Sequence, residues 1–250
     1  MNYIKADPQG NITAIVTDPA DKEDRIRIAA EIMKTDGTVE QVAFETETKN
    51  GADISIEMAG GEFCGNAALS AAALHLMRTG AEKGVCSVSV SGTGRNVEVY
   101  AEKIEGTAAH SYRGRVSMPL PEKISPFDFK TDRGILTLNV VDFGGISHAV
   151  TDNASDKEFA VRNIAGMCRQ YGADAFGLML FDRRSCTLEP LVYVPALGTV
   201  FWERTCASGT AAIGASCAPA DLKIKEPGGV LGISSGKDFL VLENSVVLYP

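Results

Sequence analysis

The chain has 250 residues, 45% of them hydrophobic, which suits one large domain or two small lobes with ample material for a core. Its formal net charge of −8 makes nucleic acid and anionic membrane surfaces poor partners, since both are negative themselves. No run reaches the ~18 apolar residues of a bilayer span, and the N-terminus shows no apolar signal region, so a cytoplasmic protein that binds neither nucleic acid nor membrane is the expectation.

In chain order, the opening Met1–Lys5 is strand-like, and strands are predicted at Ile12–Thr17, Gln41–Glu47, Asp53–Met58, Val85–Ser91, Asn96–Lys103 and Arg115–Met118. Gly92-Thr93-Gly94 marks a hairpin turn between two of them. A second series follows at Ile135–Phe143, Ala175–Phe181, Leu188–Val194, Thr199–Arg204, Phe239–Leu242 and Val246–Tyr249. Four helices are expected. Asp21–Lys34 and Asp156–Gln170 carry one apolar face at helical spacing, whereas Ala67–Met77 and Thr210–Cys217 are built of Ala and other small residues.

The composition suggests two similar halves that divide near Gly114, residues 1–114 and 115–250, with the last strand free to return to the first half. Each half has strands, then a Cys, then small residues, then an Ala-rich helix. The two segments are Glu62-Phe63-Cys64-Gly65-Asn66-Ala67-Ala68 and Thr205-Cys206-Ala207-Ser208-Gly209-Thr210-Ala211-Ala212.

Six cysteines (Cys64, Cys86, Cys168, Cys186, Cys206 and Cys217) form no C-x-x-C pair, and the three histidines are scattered. Neither a zinc site nor a disulfide framework is therefore expected. The ordinary reading of any one Cys is a buried small hydrophobe, and it is the reading for Cys86, Cys168, Cys186 and Cys217, the last expected in the core. Cys64 and Cys206 differ in position. A helix N-terminus offers unpaired N–H groups and a positive dipole end. A thiol there is expected to have a lowered pKa, small neighbours let a ligand approach, and the N–H groups can hold a carboxylate. Two helices that merely begin with small residues near a Cys would give the same pattern. If the two sites face each other, one reaction fits them well: inversion of an amino-acid α-carbon, one thiolate removing the proton and the opposite thiol supplying another, without a cofactor.

These motifs resemble those of the diaminopimelate-epimerase-type, cofactor-independent amino-acid racemases. Glu62–Ala67 resembles the first cysteine motif, Trp202–Ala211 the second, and Gly10-Asn11 the family's early Gly-Asn. The resemblance implies an α/β (α+β) fold of two similar lobes. Each lobe is a β-barrel-like sheet around a central helix, and the active site lies in the cleft between them. It implies Cys64 and Cys206 as catalytic residues, with Gly65, Asn66, Ala207, Ser208 and Gly209 around the substrate. The asparagine expected before the first motif is replaced by Met58-Ala59-Gly60-Gly61, and the Gly-Asn-Pro-His segment by Gly144-Gly145-Ile146-Ser147-His148. Pro190–Tyr193 stands where an Asn-Val pair would, and the Gly-rich loop ahead of the second Cys is missing, so diaminopimelate is disfavoured.

The chain is more similar to the histidine racemases of staphylopine-type metallophore pathways. This likeness rests on Pro8–Asn11, Glu40–Phe44, Met58–Ala67, Met179–Asp182, Pro190–Pro195 and Glu226–Gly229. It implies that Glu40 faces the substrate imidazole; by itself Glu40 reads as an exposed strand-end charge. Asn11 is a turn residue or a contact for the substrate amino or carboxylate group. Glu203 is a receptor for the ammonium or a partner of Arg204, and His148 is a structural histidine. A homodimer is common among such enzymes. The competing readings are a racemase for another amino acid, a phenazine-type isomerase or dehydratase (disfavoured by two matched cysteines), and a non-catalytic binding protein or thiol redox sensor.

Overall fold

The computed structural model describes residues 1–106, 110–131, 134–151, 157–217 and 221–250. In the first part of the chain run β1 (Tyr3–Asp7), β2 (Thr13–Val16), α1 (Arg25–Thr35), β3 (Gln41–Thr46) and β4 (Ile54–Met58). They are followed by α2 (Gly65–Thr79), β5 (Lys83–Val90), β6 (Asn96–Lys103) and β7 (Ser111–Met118). These strands hydrogen-bond in chain order, and the last strand of the protein, β16 (Leu240–Tyr249), adds to β7 and also pairs with β1. The result is a closed ring of eight strands. Closure abolishes the free sheet edge and encloses α2. That helix is apolar on every side because it must be: Ala67, Ala68, Ala71, Ala72, Ala73, Leu69 and Leu74 are all inaccessible to solvent. Its small side chains let the barrel wall come close. At Gly114, in β7, any Cβ would collide with Leu69 of the helix, at 2.3 Å.

The second part holds β8 (Lys123–Thr131), β9 (Gly134–Asp142), β10 (Ser147–Thr151), α3 (Lys157–Tyr171), β11 (Phe176–Asp182), β12 (Thr187–Val194) and β13 (Thr199–Trp202). It continues with α4 (Ala207–Ser216), β14 (Asp221–Glu226) and β15 (Gly229–Ser235). The sheet runs on from β16 through β15, β14, β12, β11, β10 and β9 to β8, with β13 on β12. It curves around α4, which contacts β9, β10, β11, β14, β15 and β16. Strand β16 therefore serves both sheets: Leu240–Glu243 pair with β15, while Val247–Tyr249 pair with β1. The amphipathic α1 and α3 cover the outer faces, α1 through Ile28, Ala29 and Ile32, and α3 through Ala160, Ile164 and Met167. One continuous core surrounds α2 and α4 together.

The structure extends or adds to the predicted elements. All four helices exist; the predicted start of the third, Asp156, lies outside the described residues. The predicted pair Phe239–Leu242 and Val246–Tyr249 is a single strand, because Asn244 between them points inward with its apolar neighbours Leu242 and Val246. Strands β8, β10, β14 and β15 were not predicted. Cys217 stands at the C-terminal end of α4, half-buried with Arg183 against its sulfur, and not inside the core.

Candidate active site

Helices α2 and α4 meet end to end at their N-termini: a Cβ on Gly65 would stand 3.0 Å from that of Ala207. Each helix is capped by a cysteine in extended backbone, Cys64 at φ −135° and Cys206 at φ −125°. Each sulfur accepts the backbone N–H three residues on, from Ala67 and Gly209 respectively, both at 3.3 Å. The sulfurs thus do the work usually given to a capping hydroxyl or carboxylate. The two thiols are buried and line one cavity.

Asn11, Glu40, Asn66, Glu203, Ala207 and Ser208 line the same cavity, so six of the eight substrate-site residues expected from sequence are brought together. Gly65 and Gly209 do not line it. Gly65 packs beneath Ala207 and Met118, and Gly209 lies against Met179 and the Cys206 sulfur, where a Cβ would collide. The remaining wall is Gln41, Val42, Glu62, Phe63, Ile146, Val192, Val194, Leu197, Thr199 and Phe201. Three carboxylates face inward and no lining side chain is basic. The cavity is small, about 40 Å³, against the ~10–15 Å³ that one water needs.

The polar side chains form a connected framework. Asn11, wholly buried, donates to Glu40 at 3.0 Å, and its carbonyl oxygen accepts from Gln41 and from Asn66 (3.1 Å). Asn66 also donates to the Thr205 carbonyl at 3.1 Å and accepts from Asn244 at 2.9 Å. Thr205 in turn donates to the Pro8 carbonyl at 2.8 Å. The amide of Asn11 is thus occupied with orienting Glu40, Gln41 and Asn66. Glu40 additionally accepts the backbone N–H of Arg204, so it is a held carboxylate and not the free strand-end charge that its position alone suggests. Beneath Cys206, the buried Glu226 accepts that residue's backbone N–H at 2.6 Å and bonds the Thr210 hydroxyl. His148 is fully buried; its Nε2 bonds Ser208 Oγ at 2.8 Å, and Ser208 Oγ lies 3.7 Å from the Cys206 sulfur.

Electrostatics reverse one expectation. A helix N-terminus should lower a thiol pKa, but burial, reinforced by the charge of Glu203, pushes Cys64 up to about 12. Burial and the nearby carboxylates Glu203 and Glu226 push Cys206 well above its ordinary value. Two N–H groups cannot offset removal from water beside negative charge. Burial likewise raises Glu203 to about 8, partly countered by the hydrogen bond from the Cys206 thiol, and raises Glu226 to about 8. Glu40 and Glu62 are shifted upward for the same reason, and burial holds His148 neutral, at about 3. The site is an acid-rich enclosure of neutral thiols that favours a cation.

Sequence reasoning did not single out Glu62, Gln41 or Glu226 as site residues. Glu62 and Glu226 lie inside segments that carry the family resemblance, but nothing local marks a glutamate that will be buried.

The fold is shared with solved structures. The structure is similar to that of a predicted epimerase from Pseudomonas aeruginosa, with a TM-score of 0.66 at 13% identity, covering 99% of this chain and 96% of that one. It is also similar to methylitaconate-delta-isomerase, with a TM-score of 0.59 at 12% identity, covering 99% and 93%. At such identities the likeness speaks for the fold alone, and the fold is the diaminopimelate-epimerase-like one expected. The family described as histidine racemase CntK N-terminal domain matches residues 1–240. A histidine racemase of Fusobacterium nucleatum subsp. nucleatum is 34% identical over 226 residues, which cover 86% of this chain and 80% of the relative. The chain belongs to this histidine racemase family. Among the described residues no helix is long and apolar enough to cross a membrane.

Proposed function

We propose that the protein racemises histidine by passing the α-proton between Cys64 and Cys206. The observation that carries the reading is the matched pair: two buried thiols, each on a helix N-terminus with the same N–H contact, in one cavity lined with carboxylates. The substrate carboxylate takes the N–H groups of the facing helix ends, where the charge of a carbanion-like transition state also develops. Glu203 receives the α-ammonium. That cation offsets the carboxylate charge that, together with burial, holds the thiols neutral, so substrate binding itself favours a thiolate. Glu40, fixed by Asn11 and the Arg204 N–H, accepts the imidazole N–H. The cavity is too small for an amino acid, so the two halves open to admit it and close to exclude water.

The same proposal divides the chain into lobes of residues 1–114 and 115–250, places it in the cytoplasm, where thiols stay reduced, and allows a homodimer. The test is α-proton exchange in D₂O followed by NMR, with chiral chromatography for the D-form. Histidine exchanges and inverts, while Cys64→Ser and Cys206→Ser each lose inversion. Inversion that survives either substitution refutes the two-thiol mechanism. Inertness of histidine beside a reactive second amino acid refutes histidine as the substrate together with the assignment of Glu40, and leaves the two-thiol mechanism standing.

A further inference from the structure

All three carboxylates in the cavity wall accept hydrogen bonds from the protein, but not equally. Glu40 holds Asn11 and the Arg204 N–H, and Glu203 holds the Cys206 thiol with Gln41 Nε2 at 3.4 Å. Glu62 differs. It is 9% exposed, it lines the cavity two residues before Cys64, and its Oε2 has no hydrogen-bond donor among the described residues. A buried acceptor left unpaired costs free energy that a protein seldom tolerates without a purpose. Its surroundings make room for it: at Gly60 a Cβ would lie 2.5 Å from Oε2 and 2.5 Å from Val194 of the cavity wall, so glycine leaves both where they are. Nor is Glu62 remote from the chemistry, since its charge is felt by both Cys64 and Glu203.

We propose that Glu62 is a second binding residue for the substrate's α-ammonium, its free oxygen taking an N–H that Glu203 leaves over. This rests on reading the cavity as an amino-acid racemase site. An ammonium carries three donors, and Glu203 already shares its oxygens with a thiol and an amide. A second acceptor on the Cys64 side of the cavity, with Glu203 on the Cys206 side, holds the ammonium while the α-proton leaves from either face. A carboxylate there also recognises what every α-amino acid possesses, so Glu62 sets the requirement for an amino group and leaves the choice of side chain to Glu40 and the apolar wall.

The test compares histidine with 3-(imidazol-4-yl)propionate, which keeps the ring and the carboxylate and lacks the amino group. In Glu62→Gln the KM for histidine, read by α-proton exchange, rises about 10- to 100-fold, as loss of a hydrogen bond between charged groups requires. The inhibition constant of the propionate stays within about twofold, which also shows that the pocket is intact. An equal loss for both ligands would mean that Glu62 shapes the pocket or contacts the ring, and an unchanged KM would mean that it touches nothing; either result overturns the proposal. If the wild-type protein neither binds nor exchanges histidine, the histidine reading fails on its own. The comparison is then run with whichever amino acid does exchange and its desamino counterpart.

Discussion

Glu226 never reaches the cavity, yet the position of Cys206 depends on it, and its protonation state can be read from two substitutions. The carboxyl accepts the Cys206 N–H at 2.6 Å and bonds the Thr210 hydroxyl, and burial raises it to about 8. At pH 7 it is therefore neutral. A glutamine copies a neutral carboxylic acid: its carbonyl accepts from Cys206 and its amide donates to the Thr210 oxygen. Glu226→Gln should match the wild type within about 1 kcal/mol near pH 5 and be about 3 kcal/mol more stable at pH 7, where the unfolded wild-type chain has already given up the proton. Glu226→Ala orphans a buried N–H and a buried hydroxyl at ~1–3 kcal/mol each. With the void it leaves, the cost relative to Glu226→Gln is about 3–5 kcal/mol. The pH dependence supplies a second reading. A carboxyl whose folded pKa lies above its unfolded value keeps its proton in the folded state while the unfolded chain gives it up. Stability from this group is complete below the ordinary pKa of 4.5 and is lost progressively up to about pH 8. The slope approaches ~1.4 kcal/mol per pH unit. Urea unfolding of wild type and Glu226→Gln at pH 5, 6.5 and 8 measures it, and the variant should gain on the wild type as pH rises. If Glu226→Gln costs as much as Glu226→Ala at pH 7, or the two stability curves run parallel, the carboxyl is ionised and the electrostatic account of the site is wrong.

Other consequences concern the same enclosure. Glu203 is raised to about 8, so it is largely protonated at pH 6 and ionises as pH climbs; kcat/KM for histidine should therefore rise from pH 6 to 8, and Glu203→Gln should abolish that limb together with most activity. Because burial keeps both cavity thiols protonated, iodoacetamide at pH 7.5 should label the half-buried Cys186 and Cys217 well before Cys64 and Cys206, as mass spectrometry would show. Faster labelling of the cavity pair would mean that they are ionised at rest. Asn66→Ala leaves the Thr205 carbonyl and the amides of Asn11 and Asn244 short of partners. A loss of about 2–5 kcal/mol in urea unfolding is expected, and a loss under 1 kcal/mol would show that water replaces the bridge.

The sequence by itself determined a good deal. Two small-residue helices without a polar face can only be interior helices, and α2 and α4 are. The apolar stripes of α1 and α3 foretold outer helices packed on sheets. A cysteine directly ahead of each interior helix placed both thiols at N-termini, since capping is a local property of three or four residues. Other elements were not legible because their reasons lie far along the chain. Strand β8 contains Pro126 and alternates charge with apolar residues, which is tolerable only because it lies at the end of the sheet path. Strand β10 is five residues long and becomes a strand by lying between β9 and β11. The unity of β16 depends on Asn244 finding Asn66, 178 residues away.

The chemistry divides along the same line. Both cysteines and six of the polar and small residues beside them follow from motifs, but the charge state of the thiols does not. A thiol at a helix N-terminus is activated when water or cations surround it. Here the tertiary structure closes over both sulfurs and brings Glu40, Glu62, Glu203 and Glu226 around them from four separate segments. Desolvation and like charge act through space, and sequence spacing records neither. Only the assembled barrel and its companion sheet decide that the thiols wait neutral and that the missing positive charge must come from outside.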